Sequence, residues 1–133
     1  MADKSKKILS EISPGELLDK ISILEIKLEK IKDQGKLKEI NKEYDILKKA
    51  QQLNIIITKK IDDLFKEIKK INEILWNIED KLRVCEKNKD FGDDFIKLAR
   101  GVYLNNDKRS QIKLEINKIL GSNIKEIKQY VNY

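Results

Sequence analysis

Residues 57–82 read ITKKIDDLFKEIKKINEILWNIEDKL, and their spacing decides the fold. Ile57, Ile61, Leu64, Ile68, Ile71, Leu75, Ile78 and Leu82 recur at alternating intervals of four and three. That is a heptad seam, the signature of a long helix that buries one stripe against a partner helix. Most of the intervening residues are charged or carry amides, as the solvated faces of such a helix require.

The pattern extends in both directions. Upstream, Leu17, Ile21, Leu24, Leu28 and Ile31 form a second seam whose start is marked by Ser13, Pro14 and Glu16, a Ser-x-x-Glu capping box with proline at the first helical position. Ile12 and Leu17 flank that box as a hydrophobic staple. Gly35 is the expected left-handed cap of this helix. Leu37, Ile40, Tyr44 and Leu47 restart the pattern, so helices of about 14–33 and 36–50 should fold as a hairpin that sets Leu28 against Ile40. Gln51 then falls in the seam and the register slips. An unbroken helix over 36–87 would be ~78 Å long, which favours a break near 50–54 and a third helix over 54–87.

Downstream, residues 88–92 read as a turn, with Asp93 or Asp94 as the cap of a helix over 93–120. Phe95, Ala99, Val102, Ile112, Ile116 and Ile119 keep one face of it apolar, and Gly121 ends it. Asn105, Asn106 and Asp107 compete for backbone hydrogen bonds and could interrupt it. Residues 123–131 read as a short final helix, and residues 1–11 as a frayed start. The expectation is a single all-α domain of antiparallel long-helix hairpins, a three- to four-helix bundle or coiled-coil-like assembly.

Composition supports this and narrows function. Charged residues make up 39% of the chain, against one proline and five glycines, a balance suited to long helices. The net charge of +6 comes from 29 basic and 23 acidic residues that interleave without forming blocks, so it describes solvated faces better than a nucleic-acid footprint. No histidine is present, which removes the usual general base and zinc ligand. Cys85 is alone and fits a reducing compartment. The longest uncharged run, residues 50–58, is too short to span a bilayer, and the first residues lack the apolar core of a signal peptide. Cytoplasmic residence is the expectation.

The most specific constellation spans residues 73–113. Trp76, Asp80 and Arg83 share one face of the third helix, with Glu73 and Glu79 beside them. Arg100, Tyr103 and Asp107 share a face of the fourth, with Asn106, Arg109 and Lys113 on the adjoining stripe. A hairpin turning near residue 90 would set Asp80 against Arg100, Trp76 near Tyr103 and Glu73 near Asp107. All three arginines of the chain fall here, amid far more numerous lysines. Arginine's planar fork binds carboxylate or phosphate in a bidentate way, which lysine cannot match. Two readings stay open: an Asp80–Arg100 ion pair that fixes register, or a polar pocket for a small anionic ligand or a protein partner.

A second cluster lies on the first helix, where Glu16 and Asp19 stand one turn apart among Lys20, Glu25 and Lys27. With Glu79 and Asp80 it could hold magnesium, as paired carboxylates do in all-α nucleotide pyrophosphohydrolases, provided the two pairs face each other. Without that, no metal or other cofactor is expected. The small all-α chorismate mutases are excluded, because they need arginines on the first helix and none is there.

With these residues in view, the chain resembles a family of small all-helical bacterial and phage proteins of unknown function. The resemblance runs through Ser13-Pro14-Gly15-Glu16-Leu17-Leu18-Asp19-Lys20, Ile23-Leu24-Glu25-Ile26-Lys27-Leu28, Leu75-Trp76-Asn77-Ile78-Glu79-Asp80, Phe95-Ile96-Lys97-Leu98-Ala99-Arg100, Val102-Tyr103 and Asn106-Asp107-Lys108-Arg109. It continues through Ile116-Asn117 to Gly121-Ser122 and so covers nearly the whole chain. It implies that the Trp76-to-Asp80 and Arg100-to-Arg109 blocks belong to the family's design, and it implies no activity. The expected function is therefore a non-enzymatic, self-associating helical interaction protein, with a phosphate-directed magnesium enzyme and nucleic-acid binding as the alternatives.

Overall fold

A computed structural model describes residues 6–133, and the first half of the expected frayed start, residues 1–5, lies outside the described residues. Residues 6–13 form no helix. Four helices follow: α1 (Pro14–Lys30), α2 (Gln34–Asn54), α3 (Lys59–Asn88) and α4 (Asp93–Leu120). The fold is all-α, and its long helices pack as antiparallel hairpins.

Local chemistry sets each boundary. Ser13 Oγ accepts the Glu16 amide at 3.1 Å and Pro14 opens α1, as a cap and first helical residue should. Gly35 does not cap α1. Ile31 leaves the helix in an extended conformation, and the Asp33 carboxylate accepts the Lys36 amide at 2.8 Å, so Gly35 becomes the second residue of α2. The break expected at 50–54 lies one turn later, at residues 55–58. There Ile55, Ile56, Ile57 and Thr58 make a β-branched run, stiff at χ1, and Thr58 Oγ1 caps α3 by accepting the Ile61 amide.

Lys89 ends α3 in the left-handed conformation, with φ 53°. Gly92, not an aspartate, is the N-cap of α4; Asp93 and Asp94 sit in its first turn, where their charge meets the positive end of the helix. Residues 105–107 do not interrupt α4, because the Asn105 amide donates back to the Gly101 carbonyl at 2.8 Å inside the helix. Gly121, with φ 64°, closes α4 while the Ser122 amide returns to the Asn117 carbonyl, a Schellman pattern. The final helix expected at 123–131 is not formed. So short a helix is marginal on its own, and this segment's polar groups find partners elsewhere: Asn123 on Glu11, Glu126 on Lys113, Tyr133 on Asp107.

α1 is the hub. It packs against each of the other three helices, while α3 and α4 pack along one another. Both hairpins keep the predicted alignment: the Tyr44 hydroxyl donates to Glu25 at 3.1 Å between α2 and α1, and Arg109 meets Asn72 between α4 and α3. Leu17, Leu18, Ile21, Ile61, Leu64 and Ile116 form the core where α1, the end of α2, the start of α3 and the end of α4 converge. Burying each such side chain is worth roughly 1.5–3 kcal/mol.

The start of α1 lies directly on α4. The Gly15 amide donates to Asn117 Oδ1 at 2.7 Å, so a side chain from another helix satisfies an N-terminal amide of α1. A Cβ on Gly15 would stand 2.6 Å from the Lys113 carbonyl oxygen. No helix among the described residues is long and apolar enough to cross a membrane.

Candidate functional site

Where α1 crosses the α3–α4 hairpin, the contact is polar at its centre. Asn72 of α3, 5% exposed, donates from Nδ2 to Asp19 Oδ1 and to Ser22 Oγ, both at 2.8 Å. Ser22 in turn donates to the Asp19 carbonyl at 2.7 Å. On its other side Asn72 Oδ1 accepts Arg109 Nη1 at 3.0 Å, and Arg109 Nη2 donates to Asn106 Oδ1 at 2.9 Å. The buried amide therefore links the α1 carboxylate to the α4 guanidinium, with both of its N–H groups and its oxygen used.

One turn along α4, Lys113 lies among three carboxylates. It donates to Glu16 and stands 3.7 Å from both Asp19 and Glu126. Burial is the largest influence on Lys113 and pulls its pKa down, but the bond to Glu16 and the nearby acids outweigh it and the pKa is raised. Burial likewise pushes Glu16 up, and Lys113 with Lys20 outweighs it, so this carboxyl titrates below its ordinary 4.5. Glu16 thus serves Lys113, and of the expected capping box the Ser13-to-Glu16 half is made.

Above this network opens a cleft of about 370 Å³. Ile23 and Ile26 of α1 form one wall. Leu75, Trp76, Glu79, Asp80 and Arg83 of α3 form the other, with Asn72 and Arg109 at its base. A larger hollow of about 590 Å³ between α4 and the C-terminal segment is lined by side chains such as Leu114, Lys118 and Ile127 and holds neither an arginine nor an aromatic. The smaller cleft has the recognition chemistry.

The sequence-predicted face is divided. Trp76, Asp80, Arg83 and Arg109 share the cleft, and Asn106 and Lys113 hold the network beneath it. Arg100, Tyr103 and Asp107 lie elsewhere: Arg100 Nε is 3.4 Å from the Tyr103 hydroxyl, the Tyr103 ring meets Tyr133 edge-on at 5.5 Å, and Tyr133 donates to Asp107. Among the described residues Asp80 and Arg100 form no ion pair and the Trp76 and Tyr103 rings do not meet. Alignment along the hairpin was right, but facing levels do not imply facing side chains. Trp76 turns toward α1 and Tyr103 toward the C-terminal segment.

The magnesium set does not converge either. Glu16 and Asp19 share Lys113, and Asp19 meets α3 at Asn72. Glu79 and Asp80 lie two turns further along α3, ~10–12 Å away at 1.5 Å per residue. Among the described residues no group of three or more acidic or cysteine side chains is placed to hold a metal ion.

Sequence reasoning passed over Asn72 and Ser22, and named Asn117 only within the family resemblance. Asn72 carried a signal: it follows Ile68 and precedes Leu75 at helical spacing, a lone amide in an apolar stripe. Its replacement by alanine should destabilise the fold by about 2–3 kcal/mol in urea denaturation, since it strands the Asp19 carboxylate and one Arg109 donor together.

A model of a family of unknown function (DUF6165) matches residues 8–132. This agrees with the resemblance carried by the sequence blocks. No curated protein and no solved structure matches the chain.

Proposed function

We propose, for a chain that belongs to the DUF6165 family of unknown function, that it is a non-enzymatic helical interaction protein. It self-associates, and its Trp76–Arg109 cleft holds the anionic group of a small ligand or of a protein partner. The state of Arg109 carries this reading. Its guanidinium is half-buried and fixed by two neutral amide oxygens, and no carboxylate of the described residues forms an ion pair with it. A cation held in place without a direct ion pair, beside an apolar wall and with Glu79 and Asp80 balanced in part by Arg83 on the other, is pre-organised for an incoming carboxylate or phosphate oxygen. Trp76 offers a flat face for the body of that ligand, and Arg83 brings a second positive charge to the rim.

Native mass spectrometry of the gently purified protein tests this, with benzoate and inorganic phosphate as added probes. A retained small anion, or saturable uptake of one probe, is expected. Trp76→Ala should weaken uptake at least tenfold, about 1.4 kcal/mol, and Arg83→Ala severalfold. Neither retention nor uptake, or uptake indifferent to Trp76→Ala, would overturn the reading.

A further inference from the structure

No residue from 76 to 115 is buried. The far half of α3 and most of α4 thus form a two-helix arm that leaves the core, bordered at its base by Ile23 and Ile26 of α1 and on α4 by Tyr133 of the C-terminal segment. Amphipathic helices draw most of their stability from packing. A bare pair of this length has an uncovered side.

That side can be located. On α3, Lys69 reaches Glu25 and Glu29 of α1, and Asn72 reaches Asp19 and Ser22. The same helical stripe continues through Trp76, Glu79 and Arg83. On α4, Lys113 and Asn117 touch Glu16 and Gly15 of α1, and their stripe continues back through Val102, Ala99 and Phe95. The two stripes line one groove. α1 fills its lower part, crosses α3 at the level of residues 69–72 and borders the Trp76–Arg83 level with Ile23 and Ile26 alone, leaving the rest of the upper part open.

We propose that a second copy of this chain fills the upper groove with its own arm, the two arms closing a four-helix bundle around a twofold axis. The proposal rests on the reading that the chain self-associates, and names the surface. Area supports it. The chain exposes 10004 Å², whereas a compact monomer of its mass exposes roughly 7,200 Å². The excess, part of it on the extended end segments, exceeds the ~800 Å² that each partner gives to an ordinary interface.

Charge supports it too. The lower bundle is laced with ion pairs such as Lys60–Glu115 and Lys69–Glu25. Between residues 76 and 108 the described residues form one, Lys89–Glu86 at the tip. Glu79 and Arg83 flank the empty groove one turn apart, exposed and of opposite sign. A twofold axis crossing α3 between them sets Glu79 of each copy against Arg83 of the other, and Ala99 leaves room for the approach. The second copy also walls the open side of the Trp76–Arg109 cleft.

Light scattering after size exclusion tests the assignment. The wild type should be a dimer, Ala99→Arg a monomer with unchanged helical circular dichroism, and Leu53→Arg, on the exposed face of α2, still a dimer. Glu79→Arg and Arg83→Glu should each weaken dimerisation at least tenfold, and mixing the two variants should restore it. A monomeric wild type overturns both self-association and this surface. A dimer indifferent to Ala99→Arg, or to both charge variants, leaves self-association standing and overturns the surface.

Discussion

Replacing Gly15 by alanine is expected to cost the fold about 3 kcal/mol, read as a lower urea midpoint at unchanged slope. The added methyl would lie 2.6 Å from the Lys113 carbonyl oxygen and 2.8 Å from Asn117 Oδ1. Neither can retreat cheaply. The first is helix backbone, and the second is 6% exposed and accepts the Gly15 amide. Overpacking of this kind costs ~1–3 kcal/mol, and loss of the amide's partner adds roughly 1 kcal/mol. A variant as stable as the wild type would mean that α1 does not dock on α4 through this contact.

Lys113→Met should be comparably damaging and should also flatten the dependence of stability on pH. Removing the cation leaves Glu16, Asp19 and Glu126 facing one another, with Asp19 5% exposed. Breaking a buried ion cluster by deleting one partner costs ~3–5 kcal/mol; solvent at Glu16 and Glu126 brings the expectation to about 2–3 kcal/mol. In the wild type, Glu16 titrates below 4.5 in the fold, so its contribution is present above that pH and lost as pH falls through the lowered value. Lys113 titrates above 10.5, so its contribution is full below that pH and lost as pH climbs through the raised value. The methionine variant should lack the alkaline limb and keep at most a reduced acid limb, since of the two cations beside Glu16 only Lys20 then remains. Equal pH profiles for the two proteins would contradict the network.

Much of this architecture was legible because local chemistry and periodicity agree. The Ser13 cap, the Gly121 stop and the alternating four-and-three seams each follow from a few residues, and both hairpin alignments followed from the seams. Gly35 misled because glycine near a helix end suggests a left-handed cap, while Asp33 offered the next helix a better start. Residues 123–131 misled for a similar reason: spaced apolar residues suggest a helix, but here tertiary partners took the polar groups.

The site was half legible. Arginines concentrated amid lysines pointed to residues 83–109, and Trp76, Arg83 and Arg109 do share a cleft. What periodicity could not supply was the direction of each side chain around the hairpin, which is why Arg100 and Tyr103 were grouped with the wrong neighbours. Nor could it supply the crossing of α1, which decides that Asn72, Asp19 and Ser22 meet. The close approach of Gly15 to α4 left no mark in the sequence beyond the glycine itself.

The chain's three arginines allow one direct measurement. Their side-chain Nε–Hε signals can be followed by nuclear magnetic resonance during titration with sodium benzoate at constant ionic strength. Arg109, held by Asn72 and Asn106 at the base of the cleft, should shift saturably, Arg83 should follow with a smaller change, and Arg100 should stay in place. Three signals that move together without saturating, or an Arg100 response as large as that of Arg109, would contradict an anion site in the Trp76–Arg109 cleft.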